Sequence, residues 1–294
     1  MIVGGISAAE VADPLCVITI NDPEVGSYQN DDIFISWTTD NCMSSAYDVY
    51  YREGNCDLLP PLSWHTITSD LNDDEFSWES NFNQGEYCIK VEEDGFDGFG
   101  VMEDTFFIDN IDPNADANGP YECDEGESVT LDASDSTDNY GIATYEWFID
   151  GVSQGESGSP YLEYSCEDGD ASEPILLNVV DLAGNEDLDS SSITINNVDP
   201  WNCNIDGPVE VALGFSVEFS GSADDVEADL PLTYSWDFGD DTGDEGAEVE
   251  HMYTDAGVYT LTLTATDKDD GYCTDTHMID VVEPTLLADQ EVAA

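Results

Sequence analysis

The side chains with the most chemistry to offer in this sequence are carboxylates in short, dense runs. Asp112, Asn114 and Asp116 form one run, Asp135 and Asp138 a second, and Asp181, Asn185 and Asp187 a third. Asp199 stands alone, Asp224, Asp225, Glu227 and Asp229 follow, and Asp267, Asp269 and Asp270 complete the set. Hard carboxylate and carboxamide oxygens suit calcium, which takes about six to eight of them in flexible geometry. Two carboxylates about 4 Å apart repel by about 1 kcal/mol in water and by more near a low-dielectric surface. Such groups persist only with screening or bound cations. The competing reading is a solvated acidic surface with no fixed site.

Other chemistry finds little support. Asn114-x-Asp116-x-Asn118-Gly119 followed by Glu125 fits much of an EF-hand loop, but the first position is Asn, Pro120 follows the glycine and no helices flank it. His65, His251 and His277 are isolated, and there is no H-E-x-x-H or P-loop. With 68 Asp and Glu in the chain, proximity of two carboxylates carries no catalytic information. The expectation is a chain that is not an enzyme. Trp64, Trp78 and Trp201 could line a sugar-binding surface; Trp64 and Trp78 are expected instead to pack within their own domain, and Trp201 between domains. No N-x-[ST] sequon occurs.

The charge balance constrains partners. Against 68 acids stand only Arg52, Lys90 and Lys268, for a formal net charge of −65 over 294 residues. Salt-bridge networks cannot hold such a protein together. Nucleic acid and anionic membranes both require a basic footprint that is missing. Apolar residues at 40% and aromatics at 11% still suffice for real cores. No apolar run approaches the roughly 18 residues of a membrane span. Residues 1–13 are mildly apolar without a basic start, so a leader is either already absent or the chain is a segment of a longer product.

The elements that must position these groups are strands. Acidic-Pro pairs recur at Asp13-Pro14, Asp112-Pro113, Asp199-Pro200 and Glu283-Pro284, at spacings of 99, 87 and 84 residues. Ile108-Asp-Asn-Ile-Asp-Pro113 matches Ile195-Asn-Asn-Val-Asp-Pro200, and Gly119-Pro120 matches Gly207-Pro208. Proline lacks an N–H and holds the preceding residue extended, so the phrase reads as a stiff linker between similar domains. The divisions are 1–13, a terminal segment; 14–112, 113–199 and 200–283, three domains; and 284–294, a tail. Each domain shows short alternating runs at all-β spacing. In the third these are Val209–Ala212, Ser216–Ser220, Thr233–Phe238, Val249–Tyr253, Tyr259–Thr266 and Met278–Val282. The fold expected is all-β: three tandem Ig-like β-sandwiches in an elongated row.

The third domain carries Tyr234-Ser-Trp-Asp-Phe-Gly-Asp240, His251-Met-Tyr-Thr-Asp-Ala-Gly-Val-Tyr-Thr260 and Leu261-Thr-Leu-Thr-Ala-Thr-Asp267. In these motifs it resembles the PKD (polycystic kidney disease) domain, an Ig-like sandwich. The resemblance places Trp236 in the inter-sheet core on strand C and Gly257 at the turn before strand F. The second domain is similar to a more diverged PKD domain through Tyr145-Glu-Trp147 and Glu125-Gly-Glu-Ser-Val-Thr-Leu131, with Ile149-Asp-Gly-Val152 as a hairpin turn. The first resembles a fibronectin type III or other Ig-like sandwich through Ile35-Ser-Trp37, Tyr47-Asp-Val-Tyr-Tyr51 and Tyr87-Cys-Ile-Lys-Val91.

The sandwich topology implied by that resemblance orders the cysteines and the carboxylates. Cys203 precedes strand A and Cys273 follows the FG turn, at one end; Cys123 and Cys166 lie at the AB and EF turns of the other. Cys42 and Cys56 would be held roughly 20 Å apart by strand C at about 3.3 Å per residue, beyond the roughly 7 Å Cα limit of a disulfide. The pairs expected are Cys16–Cys42, Cys56–Cys88, Cys123–Cys166 and Cys203–Cys273, which imply an oxidising compartment. The acidic runs then gather where linker, BC loop and FG loop meet, with Asp40, Asn41, Glu92, Glu93, Asp94 and Asp97 at the same end of the first domain. Some PKD-like domains bind calcium near this end, so the resemblance implies structural Ca2+ at the domain junctions. The function expected is an extracellular or cell-surface structural protein, a filament or surface-layer subunit. It would associate with copies of itself through its termini (Ile2-Val3, Leu286-Leu287) or sheet edges. The rival expectation is an accessory region of a secreted hydrolase or adhesin, gripping polysaccharide or protein.

Overall fold

The computed structural model describes residues 16–30, 32–56, 63–79, 83–167 and 171–284. Among them the regular structure is strands, plus one 3-10 turn at Glu227–Asp229. Both terminal segments singled out for self-association lie outside the described residues.

The strands fall into three sets. The first holds β1 (Val17–Asp22), β2 (Tyr28–Gln29), β3 (Asp32–Asp40), β4 (Tyr47–Glu53), β5 (His65–Leu71), β6 (Glu75–Glu79), β7 (Gly85–Glu93), β8 (Phe99–Val101) and β9 (Phe106–Ile108). They form a sheet β1-β3-β6 and a second, β2-β9-β7-β4-β5, with β8 on β7. The next holds β10 (Tyr121–Asp124), β11 (Ser128–Asp132), β12 (Ile142–Ile149), β13 (Val152–Ser157), β14 (Tyr161–Ser165), β15 (Ala171–Asp181) and β16 (Glu186–Asn196), ordered β10-β16-β15-β12-β13 and β11-β14. The last holds β17 (Trp201–Asp206), β18 (Glu210–Ala212), β19 (Val217–Asp224), β20 (Thr233–Asp237), β21 (Gly243–Glu245), β22 (Glu248–His251), β23 (Gly257–Thr266) and β24 (Tyr272–Val282), ordered β17-β19-β22 and β18-β24-β23-β20-β21.

The sets repeat one plan. In each, a short early strand runs parallel to the last strand, β2 with β9, β10 with β16 and β18 with β24. In each, alternate strand positions bury a tryptophan-centred core, as the pleat requires. Trp37 packs with Ile33, Ile35, Val49 and Ile89, Trp147 with Leu131, Leu177 and Val179, and Trp236 with Phe219, Leu261 and Leu263. Trp236 also donates Nε1–H to the Gly246 carbonyl at 2.8 Å. Nearby, His251 stacks on Phe238 at 4.0 Å and meets Asp240 Oδ2 at 2.9 Å.

Several expectations need correction. The run Met278–Val282 is only the end of β24, which starts at Tyr272, because Thr274 and Thr276 continue the same pleat. Cys203 does not precede the first strand of its set but lies inside β17. Trp78 is buried in its own core and Trp64 packs against that core, as expected, whereas Trp201 is 42% exposed on β17. Trp64 covers the outer face of β4 and β7, with Arg52 4.8 Å and Lys90 5.3 Å from its ring. Lys90 also pairs with Glu92 Oε1 at 2.6 Å and lies 4.3 Å from the Tyr50 ring, so two of the three bases are engaged within the first domain. All four expected disulfides are present: Cys16–Cys42, Cys56–Cys88, Cys123–Cys166 and Cys203–Cys273.

Candidate cation site at the second junction

The FG turn of the third set starts the site. Asp267 follows β23, and its Oδ1 accepts the N–H groups of Asp269 and Gly271, both at 2.8 Å. This closes the turn and fixes the carboxylate. A Cβ on Gly271 would collide with Asp267 Oδ2, Asn197 Nδ2 and Asp199 Oδ1, so glycine is what lets the linker approach. Asn197 of that linker donates to Asp267 Oδ2 at 3.2 Å. The BC loop adds Asp225 and the 3-10 turn carrying Asp229.

Asp229 is the centre. It is 1% exposed. One ligand oxygen each from Asp225, Asp229 and Asp267 lies within 4.8 Å of the others, and the same holds for Glu125, Asp229 and Asp269. Lys268 Nζ meets Asp229 Oδ1 and donates to the Ala228 carbonyl, each at 3.0 Å. Asp229 Oδ2 and Asp225 Oδ2 have no hydrogen-bond partner among the described residues. A buried carboxylate oxygen left in this state costs free energy unless a cation meets it. Burial pushes the Asp225 carboxyl above its usual value. The N–H that Val226 donates pulls the other way, and repulsion from Asp229, Asp267 and Asp199 adds to the effect of burial, so the net direction is upward.

Glu125 belongs to the preceding set of strands. It is 1% exposed, sits in the turn after β10 and accepts Val198 N–H at 2.8 Å through Oε1. Beside it, the position a Cβ would take on Gly126 lies 3.0 Å from Val226 Cγ1. The second junction therefore joins two domains through one group of carboxylates.

The first junction is built from neutral donors. Asp109 is fully buried; Oδ1 accepts Gln84 Nε2 at 3.1 Å and Oδ2 accepts Asn139 Nδ2 at 3.2 Å. Asp181 Oδ1 accepts the N–H groups of Ala183 and Asn185, and Oδ2 accepts Asn185 Nδ2 at 2.7 Å. Asp109, Asp138 and Asp181 lie together, but amides already occupy most of their oxygens. Tyr28, Phe107 and Tyr140 close the contact, with ring centroids 4.9–5.5 Å apart.

The structure thus gathers Asp225, Asp229, Asp267 and Asp269 at one junction, with Asp199 beside them, and Asp138, Asp181 and Asn185 at the other. The remaining candidates stand apart. Asp112, Asn114, Asp135, Glu227 and Asp270 are exposed. Asp116 Oδ1 accepts Asn118 N–H, Asp187 Oδ2 accepts Ala115 N–H, and Asp224 Oδ2 accepts Asn202 Nδ2. In the first domain Glu93 is buried and accepts the N–H groups of Met43 and Ser44 through Oε1, so it closes a loop. The EF-hand-like pattern fails spatially as well: β10 separates Asn114–Asn118 from Glu125. Glu125 and Asp109 are the groups that sequence reasoning missed. The one signal for Asp109 was its place in the repeated linker phrase.

Residues 197–281 match the family model of the PKD domain. Among solved structures, the chain is similar to the fibronectin(III)-like modules of Clostridium thermocellum CbhA, at 20% identity over 61% of this chain and 94% of that one, with a TM-score of 0.41. It is similar to the PKD1 domain of Vibrio cholerae metalloprotease PrtV, at 31% identity over 29% and 98%, with a TM-score of 0.25. It is also similar to the PKD1 domain of Vibrio anguillarum Epp, at 30% identity over 30% and 100%, with a TM-score of 0.26. By the family match residues 197–281 are of the PKD type, a binding or structural module, and the four disulfides of the chain suit an extracellular setting. No helix among the described residues is long and apolar enough to cross a membrane.

Proposed function

We propose that the chain is a non-catalytic extracellular structural protein, a cell-surface, filament or surface-layer subunit, whose β-sandwiches are stiffened into a row by calcium. The observation that carries this reading is Asp229: a buried carboxylate with an oxygen lacking a hydrogen-bond partner, facing acids from two successive domains. A calcium ion there would draw oxygens from Glu125 on one side and from Asp225, Asp229, Asp267 and Asp269 on the other, with water completing the shell. Bridging the domains, the ion would convert mutual repulsion into attraction and remove hinge freedom at residues 197–200. The first junction, where amides occupy most of the carboxylate oxygens and Asp138 Oδ1 lacks a hydrogen-bond partner among the described residues, would gain less.

The partners proposed are further copies of the chain, joined through the termini or through sheet edges such as β13, which is exposed along its whole length. Titration calorimetry at moderate salt, paired with small-angle scattering, tests the calcium reading. Binding tighter than millimolar with a narrower spread of dimensions supports it. No binding heat and unchanged scattering on moving from chelator to calcium would sink it.

A further inference from the structure

The two outer faces of the third domain differ in charge. On the sheet β17-β19-β22, Asp206, Glu218, Glu248 and Glu250 face outward, and Glu218 pairs directly with Glu250. Like charges in cross-strand register destabilise a sheet, so this face depends on cations in solution. The other sheet presents rows of hydroxyls across β20, β23 and β24. Thr233, Thr266 and Tyr272 form one row, Ser235, Thr264 and Thr274 the next, and Asp237, Thr262 and Thr276 a third. Beyond them Thr260 pairs with Met278 and Val258 with Asp280. The alternate positions Trp236, Leu261, Leu263 and Ile279 are buried beneath. Within these rows Asp237 and Asp280 carry charge, and the edge strands add Glu245 of β21 beside Ser235 and Glu210 of β18 beside Asp280, while the central strand β23 carries none on this face. Val258, Tyr272 and Met278 are 69%, 60% and 66% exposed. The matching face of the second domain is alike: Phe148 pairs with Leu176 and Asn178 with Leu188, with Glu146 and Glu186 as its charges on the long strands.

We propose that the outer face of β20, β23 and β24 docks a second copy of this chain, sheet against sheet. This rests on the reading of the chain as a self-assembling structural protein and names the surface it uses. The argument is electrostatic. Two chains of net charge −65 can meet closely only where carboxylates are sparse, because like charges brought together at an interface cost several kcal/mol. The middle of this face, along β23, meets that condition, and its hydroxyls can exchange donors and acceptors with a copy of themselves. At about 4.8 Å spacing, β23 and β24 over about 34 Å and the shorter β20 over about 17 Å cover roughly 400 Å2. That is below the roughly 800 Å2 per partner of a standard stable interface, so one contact is weak. Repetition of such a face on the second domain lets an array hold by avidity. In a two-fold packing, Thr262, near the middle of the array, lies close to its own copy.

Sedimentation velocity of the full chain in about 1 M salt, where surface charge is screened, tests this. Wild type should form dimers as concentration rises. Thr262→Asp with Thr264→Asp should weaken dimerisation at least about tenfold, while Glu218→Gln with Glu250→Gln on the opposite face should not weaken it. Thr262→Cys should give a dimer cross-linked by a short bis-maleimide, whose span suits the roughly 10 Å between face-packed sheets, since no free cysteine competes among the described residues; this variant decides the matter if the double aspartate fails to fold. Association that survives the aspartates, with no Thr262→Cys cross-link, overturns this face and leaves self-assembly standing. A wild type that stays monomeric at every concentration and salt overturns both. Saturable binding of a neutral polysaccharide to this face on a monomeric chain would overturn the choice of a second copy.

Discussion

Asp225→Asn separates a cation site from a merely acidic surface, because its effect should change with calcium. Asp225 Oδ1 accepts Val226 N–H at 2.8 Å, an interaction asparagine keeps. What is removed is a negative charge whose ligand oxygen lies within 4.8 Å of those of Asp229 and Asp267. At that distance one like-charge pair is worth about 0.9 kcal/mol in water and about 3.5 kcal/mol at an effective dielectric of about 20. Asp225 is only partly buried and Lys268 offsets part of the repulsion, so the expected gain in chelator is about 1 kcal/mol. Calcium should act in the opposite direction. At a concentration about 100 times its dissociation constant it stabilises wild type by about 2.7 kcal/mol; a variant binding about tenfold more weakly gains only about 1.4 kcal/mol. The lead of the variant therefore vanishes or reverses when calcium is added.

The assay must report on the third domain alone, because three sandwiches need not unfold as one two-state system. Exchange of the backbone amides of Leu261 and Leu263, buried in β23, gives that local stability. The pH dependence supplies a further check. The folded pKa of Asp225 is raised, so the native state takes up its proton before the unfolded chain does. In chelator, wild type should therefore gain stability relative to the variant as pH falls from neutral through that raised value, until the unfolded carboxyl protonates too. A variant less stable than wild type in chelator, or an equal calcium-induced gain in both, would refute the reasoning.

Two further outcomes follow from the same contacts. Lys268→Met should lower third-domain stability in chelator by about 1–3 kcal/mol, since it strands the buried Asp229 charge; the 40% exposure of the lysine side chain favours the lower end. It should also increase calcium affinity, which calorimetry reads directly, because a competing cation has left. Replacing Cys203 and Cys273 by alanine should cost more than replacing Cys16 and Cys42. The bridged separations are 70 and 26 residues, and loop-closure entropy makes the difference about 0.9 kcal/mol, measurable by denaturant unfolding.

The parts of this structure legible in the sequence are those whose cause is local or internal to one domain. Alternating apolar positions and a Tyr-x-Trp strand announce each sandwich, and the cysteine pairs follow once the strands are assigned to ends. The loops that hold Asp225, Asp229 and Asp267 were legible for the same reason. The linker ligands were not. Asp112 and Asn114 precede and follow Pro113, and the extended backbone there leaves both exposed. The groups that cross the junctions, Asp109 and Glu125, belong to the end of one domain and the far turn of the next. Contacts between domains leave no period in sequence, and a glutamate in a strand approach looks like any other acid among 68.

The placement of the three bases gives the charge its meaning. Arg52 is held at Trp64 and Lys90 at Glu92 and Tyr50, all in the first domain, and Lys268 is held at Asp229. Among the described residues, none is left to neutralise the outer face of β17-β19-β22, where Glu218 and Glu250 oppose each other. Stability of that face must come from mobile cations, while stability of the second junction would come from a fixed one. The two should respond differently to salt. Monovalent salt screens the face progressively, over a Debye length of about 10 Å at 0.1 M. It cannot replace an ion coordinated by buried oxygens, and at high concentration it competes for them. Raising monovalent salt at constant calcium should therefore tighten exchange on β19 and β22 while loosening the hold between Glu125 and Asp229. Uniform tightening at both places would mean that the junction, too, is only a screened acidic surface.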